Sequence, residues 1–548
     1  MRHINDALKI SVLRYGLFIL LITAIYASTI NNGFVWDDNN VIVHNPLLGK
    51  LGNIPHFFLS EDMAMGYTGY YRPVTYISFA LDRALWGLNP AGFHLTNITL
   101  HLFVVLLFYM VVMALFKKER LAFVATLLFA LHPVTAESVN FLAGGRNTLL
   151  SACFGLLSLL LYIKKKQIPA AVCFTAAIFS KEFALLLPII FLLYDFRLNQ
   201  EKKRFSGYIL YLIPIVSYLA LRSYAVQKAN FISAINLSDS LAAPYLIVRY
   251  VLNMLYPFHL KILYDALPNL LLSMVCLFVL AGLVTAVRLF RKNDEILFSA
   301  AWLFLFLLPV INIIPLDSAS LMADRYAYFS LMGFALFLAS VVCKLNGRAL
   351  AVCVGTICIV YSLIDFGRGG IWENEIVFFT RMTTDAPEKF DGFQNLGMLH
   401  YKNGDIARAV PFLAAALTKP DISAQFLIGS ASVFWKENMR YETEKSLLRA
   451  ISLGPTNPEP YLMLIKLYEQ SGSNRQAALY REKGERLFRG MDTRMAQRAV
   501  ALCREGDGYL AQKLYVPAEN VFWQALQINP EYAPALAGMG RVKDESGF

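Results

Sequence analysis

Two adjacent carboxylates, Asp37 and Asp38, stand in "NNGFVWDDNNVIVHNP" (Asn31 to Pro46), directly behind a tryptophan and just past the first long apolar run. Neighbouring acids repel one another, which raises the pKa of one towards a range useful for proton transfer. One carboxylate can then serve as a general base while the other orients or binds. The plainer alternative is that Asp38-Asn39-Asn40 makes a turn and caps the next element. Further polar residues recur at comparable places. Arg72 precedes "PVTYISFALDRALWG", where Tyr76, Phe79, Ala80, Arg83 and Ala84 recur at helical spacing, the pattern of an amphipathic interfacial helix. Arg72 can pair with an aspartate, bind a lipid phosphate, or snorkel to headgroups. His94, Asn97 and His101 share one helix face; they can pack against neighbours or hold a metal, although spacing offers no third ligand. "LHPVTAESVNFLAGGRN" adds His132, Glu137 and Arg146, "SKE" adds Lys181 and Glu182, which can pair with each other, and "ADRYAYFS" adds Asp324 and Arg325. Asp324 can cap the helix that follows it.

The elements that position these residues lie in a membrane. Of 548 residues, 57% are hydrophobic and 16% charged, with a mean hydropathy of +0.49. That excludes an ordinary soluble globular chain. The net charge of +11 sits largely in clusters between apolar runs ("FKKER", "IKKKQ", "RLNQEKKR"). These read as cytoplasmic loops, and no groove-reading motif accompanies them, so no nucleic-acid partner is expected. None of the seven cysteines has CxxC spacing, so neither a zinc site nor a disulfide framework is expected.

Threading by charge gives about eleven spans with the N-terminus inside, a cleaved signal peptide being the competing reading of the first run. The expected membrane domain covers 1–368, with a large first outer loop at 30–93 that carries the aspartates. Between Lys166 and Arg197 both ends are basic. Each half of that stretch, broken at "SKE", makes only about 20 Å of helix against a hydrocarbon core of about 30 Å. Lys181 and Glu182 would then sit partway into the membrane, tolerable only against protein or a water-filled cavity. The stretch 239–257 is expected to lie in the plane of the outer surface, because counting it as a span would put Arg288, Arg291 and Lys292 outside.

From Trp372 onward the chain is polar, after Gly367, Gly369 and Gly370 break the last apolar run. "FQNLGMLHYKNGDIARAVPFLAAALTKP" follows the tetratricopeptide pattern, with Leu396 and Gly397 facing Ala409 and Ala416 and Pro420 closing the unit. A poorer copy ends at Ala450 and Pro455, and a third runs through Tyr468, Gly472 and Ala477. A late copy carries Gly506, Tyr509, Ala518, Phe522, Ala525 and Pro530, with a half unit from Tyr532. The expected architecture is thus all-α: a polytopic helical domain, then a tetratricopeptide-repeat α-solenoid over 372–548, outside, offering a groove to a partner.

Acids, histidines and four cations (Arg72, Arg146, Lys181, Arg325) all map to one side of the membrane. Cations there run against the positive-inside trend and suggest a bound anion. A lipid phosphate lies at that depth and suits arginine.

The ordered blocks "FVWDDNNVIVHNPLL", "YYRPVTYISFALDRALWGLNPAGFHLTNITLH", "ALHPVTAESVNFLAGGRNTLLSA", "SKEFALLLPIIFLLYD" and "ADRYAYFSLMG", followed by the repeats, resemble bacterial relatives of the transmembrane and tetratricopeptide-repeat O-mannosyltransferases. The chain is similar, more distantly, to protein O-mannosyltransferases of the C-type glycosyltransferase fold. The resemblance implies inverting transfer of one sugar from a polyprenyl-phosphate donor to a serine or threonine hydroxyl of an extracytoplasmic protein, at a bacterial inner membrane, without a cofactor or required metal. It implies a catalytic acidic pair at Asp37 and Asp38 and donor-phosphate contacts at Arg146, Lys181 and Arg325. One departure stands out: where the family reads Arg-Ala-Asp-Leu-Leu or Arg-Lys-Asp-Leu-Leu, this chain has "RNTLL", with Asn147 and Thr148. The alternatives are transfer to an envelope glycan or lipid, and a non-catalytic membrane scaffold whose repeats recruit partners.

Overall fold

The structure, a computed structural model, describes residues 2–59, 70–199, 205–225, 242–264, 268–290, 292–313, 320–455, 457, 459–489, 492–511, 514–528 and 533–546. Among the described residues there is no strand: every regular element is helical. The chain divides into two compact units, Met1–Ala386 and Pro387–Phe548. The division falls later than the glycine break at 367–370, because the helix that follows packs back on the first unit. Its last residue, Asp385, accepts a hydrogen bond from the Ile262 amide at 2.8 Å, and Lys261 Nζ reaches the Asp385 carbonyl at 2.5 Å.

The helices of the first unit that matter here are α1 (Arg2–Tyr26), α2 (Pro73–Trp86), α3 (Pro90–Phe116), α4 (Glu119–Ala130), α5 (Thr135–Asn140), α6 (Leu142–Ile163), α7 (Gln167–Ser180), α8 (Leu187–Arg197), α9 (Ile209–Ala225), α10 (Ala243–Leu255), α11 (Leu270–Leu289), α12 (Asp294–Leu307), α13 (Tyr328–Val342), α14 (Gly347–Gly369) and α15 (Glu375–Asp385). Among the described residues, five stretches are helical, long and apolar enough to cross a membrane: Leu13–Asn31, Pro90–Phe116, Leu142–Ile163, Asp324–Val342 and Gly347–Trp372. Large apolar side chains such as Leu271, Phe278, Val352 and Leu363 point outward. A continuous core runs inside through Phe108, Phe129, Leu156, Trp302 and Tyr328. This is the arrangement expected of helices whose outer faces meet hydrocarbon.

Three local features set up the site. The stretch broken at "SKE" forms the two short helices α7 and α8, with a 3-10 turn at Glu182–Leu186 between them. α10 is only 13 residues long, about 20 Å, and buries Leu246, Tyr250, Asn253 and Met254 along one face. Residues 239–241 of the stretch expected to lie in the outer surface fall outside the described residues. At the α5–α6 corner, Gly145 lies so close to the Ser138 carbonyl that a Cβ would fall 2.0 Å from its oxygen. Only glycine allows this approach.

The second unit consists of helix pairs: Phe390–Lys402 with Ile406–Ala416, Ala424–Lys436 with Arg440–Leu453, Glu459–Gln470 with Asn474–Arg489, and Asp492–Ala511 with Tyr515–Ile528, then Ala533–Ser546. The small residues lie where the repeat pattern puts them. Ala409 and Ala416 are fully buried, and a Cβ on Gly397 would sit 2.8 Å from the Leu413 side chain. Gly404 and Gly472 take positive φ in the turns. Ala450, Ala477, Ala518 and Ala525 are likewise buried. Pro530 and Tyr532 lie outside the described residues.

Candidate active site

The two aspartates take different roles. Asp38 is fully buried: its Oδ2 accepts from the Val35 amide at 3.1 Å and its Oδ1 from the Ala143 amide at 2.7 Å. The second contact is a cap made from a distance, because Ala143 lies in the first turn of α6, where helix N–H groups lack partners and a carboxylate is favoured. Asp38 does not cap the turn that follows it. Burial pushes its carboxyl up to about 8, against the pull of the two amides. Asp37 is half-buried and makes no ion pair among the described residues. Burial raises its carboxyl above the usual carboxylate range, and the nearby Arg325 opposes that rise. Of the two acids, Asp38 has both oxygens taken by backbone amides, whereas the Asp37 carboxyl has no such partner among the described residues.

Three of the four cations already have carboxylate partners. Arg72 grips Glu182 with two hydrogen bonds, Nε to Oε2 at 3.1 Å and Nη2 to Oε1 at 2.7 Å, and its guanidinium lies 4.1 Å from the Tyr70 ring centroid. Glu182 therefore pairs with Arg72 rather than with Lys181. Arg325 pairs with Glu137, whose Oε2 also accepts from the Arg325 amide at 2.9 Å. Arg146 is fully buried: its Nη2 pairs with Asp82 at 2.7 Å and donates to the Phe93 carbonyl at 3.0 Å, its Nε donates to Asn97 at 2.5 Å, and its Nη1 donates to Ser78 at 3.3 Å. Arg146, expected at a donor phosphate, ties α2, α3 and α6 together. Lys181 is the exception. It is 1% exposed, donates from Nζ to the Thr148 hydroxyl at 2.7 Å, and faces the rings of Phe183 and Tyr326 at 4.5 and 5.3 Å. It makes no ion pair among the described residues, although Arg72, Glu182, Arg325 and Glu137 all lie within its electrostatic reach.

Asp37, Glu137, Lys181, Glu182, Arg72 and Arg325 thus form one linked cluster, drawn from five separate stretches of chain. Asp324 stands behind it. It does not cap α13: its carboxylate accepts from Tyr264 Oη and Arg368 Nη2, both at 2.8 Å. His94, His101 and His132 are buried. His132 Nδ1 accepts from the Val134 amide at 3.2 Å, so Nε2 carries the proton given to the Met254 carbonyl at 2.8 Å. His94 is buried beside the Asn32–Gly33 backbone. His101 bonds Tyr328 Oη at 2.7 Å, and Asn97 spans the Val139 carbonyl and Arg146. The His94–Asn97–His101 face therefore serves packing and hydrogen bonding. Among the described residues no group of three or more His, Cys, Asp or Glu is placed to hold a metal.

Several partners escape sequence reasoning: Asp82 opposite Arg146, Thr148 opposite Lys181, and Arg368 with Tyr264 around Asp324. Asp82 looks like one more polar residue on an amphipathic helix, and Arg368 like part of the glycine break. α2 itself does not simply float on headgroups, since Arg83 donates to the carbonyls of Ile42 and Asn45 at 3.1 and 2.8 Å. That pins the loop that follows the acids.

No family model matches the chain. Curated relatives do. A protein O-mannosyl-transferase of Caenorhabditis elegans is 25% identical over 69% of this chain and 59% of its own length. Protein O-mannosyl-transferase TMTC3 of Homo sapiens is 23% identical over 98% of this chain and 70% of its own. Protein O-mannosyl-transferase TMTC2 of Mus musculus is 36% identical over 26% of this chain and 17% of its own. Among solved structures, the APC/C hetero-tetramer Cut9-Hcn1 aligns over 92% of this chain and 99% of that chain at 14% identity, but its TM-score of 0.20 carries no argument. The first of these relatives extends well beyond the length this chain spans. What the chain is similar to, over 69% of its length in one relative and 98% in another, is animal proteins named protein O-mannosyl-transferases.

Proposed function

We propose that the chain is an inverting membrane glycosyltransferase. It moves one sugar from a polyprenyl-phosphate donor to serine or threonine hydroxyls of extracytoplasmic proteins that the repeats present. The observation that carries this reading is what the ion pairs leave over. Once Arg72 is matched to Glu182 and Arg325 to Glu137, the cluster keeps one unmatched acid, Asp37, and one unmatched cation, Lys181. An acid and a cation in one cluster, each within the field of Arg325, suit a reaction that takes a proton from a hydroxyl and stabilises a departing phosphate.

In this mechanism the Asp37 carboxylate accepts the hydroxyl proton as the acceptor oxygen attacks the anomeric carbon. The bond from that carbon to the phosphate oxygen breaks on the opposite face, and its electron pair leaves with the polyprenyl phosphate. Lys181 meets the growing negative charge, with Arg325 and Arg72 adding field from their pairs. Arg146 and Asp38 hold the framework behind the cluster. The site would open to the outer side of a bacterial inner membrane, with about eleven spans beneath it, and the names of the relatives make mannose the first sugar to test.

The test is transfer from a mannosyl-phosphate polyprenol to extracytoplasmic proteins, read by mass spectrometry, with the full chain reconstituted in lipid. Asp37→Asn should lower kcat about 10²- to 10⁴-fold, the usual contribution of a general base, with folding and donor binding retained. Full activity in Asp37→Asn would end the proposal. Transfer to glycan or lipid but not to protein would move the acceptor to the cell envelope. Absence of any transfer by the unaltered protein would favour a scaffold.

A further inference from the structure

Trp36, immediately before Asp37, has φ of +52°. A bulky residue in the left-handed region is strained and persists only when its surroundings hold it there. The surroundings are identifiable. The indole stacks on Phe141, with centroids 5.7 Å apart and planes at 14°, and its other neighbour is Phe378 at 5.7 Å and 37°. Phe141 also lies under the Arg325 guanidinium at 5.4 Å. Phe378 is buried in α15. The same loop is tied to the chain around α15 at three more points. Asn32 Nδ2 donates to the Gly369 carbonyl at 3.0 Å, the Gly33 amide to the Glu373 carbonyl at 2.8 Å, and Asn39 Nδ2 to Glu375 Oε1 at 2.7 Å.

We propose that α15 and the turn before it act as a brace for the acidic loop, making Phe378 and Asn39 positioning residues for Asp37. The strained turn at Trp36 separates the two carboxylates: Asp38 turns inward to the Val35 and Ala143 amides, and Asp37 is left facing Arg325. Phe141 and Phe378 clamp the indole, so the turn cannot relax and carry Asp37 away. The assignment of Asp37 as base rests on the proposed function; the brace itself rests on the contacts.

The experiment separates the two. Phe378→Ala and Asn39→Ala, in the full chain in lipid, should lower kcat with donor KM within about twofold. A carboxylate displaced by about 1 Å loses about 10²-fold, so a fall of about 10- to 100-fold is expected for Phe378→Ala and a smaller one for Asn39→Ala. Phe378→Met, which refills the volume, should recover much of the loss. Labelling of Asp37 by a water-soluble carbodiimide, mapped by mass spectrometry, should rise several-fold in Phe378→Ala. That readout does not depend on activity. Unchanged labelling together with unchanged kcat would overturn the brace while leaving Asp37 as base. An active Asp37→Asn with raised labelling in Phe378→Ala would instead overturn the function and leave the brace. If Phe378→Ala fails to fold, Asn39→Ala, which opens no cavity, decides the matter by the same two measurements.

Discussion

Asp38→Asn separates a structural acid from a chemical one. Both Asp38 oxygens accept a backbone amide, Val35 N at 3.1 Å and Ala143 N at 2.7 Å, in a site without solvent. Asparagine supplies one acceptor oxygen and one NH2 group, so one of the two amides meets a donor instead of an acceptor. Orphaning a buried donor costs about 1–3 kcal/mol. Asp38→Ala orphans both amides and should cost about twice as much. The assay is thermal unfolding of purified protein, followed by transfer kinetics below the transition. The variants should rank wild type, then Asn, then Ala in stability, and donor KM should change little. Asp38→Asn should keep measurable transfer where Asp37→Asn loses it. A variant as stable as wild type but wholly inactive would refute the reasoning, because Asp38 would then act on substrate rather than on Val35 and Ala143.

Two further outcomes follow from the same geometry. Arg325 lowers the Asp37 pKa against the rise due to burial. Arg325→Gln should therefore raise that pKa further and shift the acid limb of kcat/KM, which rises with pH as the base deprotonates, to higher pH; a limb that stays put or moves down would show that the two groups do not interact. Asp82→Asn leaves Arg146 as a buried charge without its counter-ion, which should cost about 3–5 kcal/mol. Adding Arg146→Met should recover part of that loss, and equal instability of the single and double variants would argue that the pair is not coupled.

The membrane half and the repeats were legible because their signals are local. A run of apolar residues, a glycine break, or alanines at fixed spacing each report on a few turns of one helix. The break at Lys181 and Glu182 was likewise written in helix length. Pairing was not legible. Lys181 and Glu182 are neighbours in sequence, yet at the end of α7 the backbone turns extended at Lys181, which sends one side chain to Thr148 on α6 and the other to Arg72. Asp324 looked like a helix cap because it precedes α13. Its true partners, Tyr264 and Arg368, come from segments that local periodicity cannot bring together. Asp365 carries a signal legible in the sequence: a carboxylate inside an apolar run needs a partner, and here it accepts from Tyr26 Oη at 2.8 Å.

The balance of charge in the cluster also bears on the donor. A sugar linked through one phosphate carries a single negative charge, which Lys181 alone can match. In the proposed transfer the phosphate would gain one negative charge while Asp37 gains one proton, so the total charge of the site would be unchanged between substrates and products. No further ion has to join Lys181, the rings of Phe183 and Tyr326 that it faces, and the two fixed pairs. A pyrophosphate-linked donor would bring a second negative charge with no unmatched cation to receive it, and an uncompensated charge in such a site costs several kcal/mol. The polyprenyl monophosphate, whose second charge is offset by the proton Asp37 takes up, should therefore compete strongly with the donor and the polyprenyl pyrophosphate, with one charge more, weakly. In Lys181→Met both should lose affinity, the monophosphate more steeply. Equal competition by the two lipids in the unaltered protein would mean that the ion pairs open to admit phosphate, and that counting unmatched charges misjudges the site.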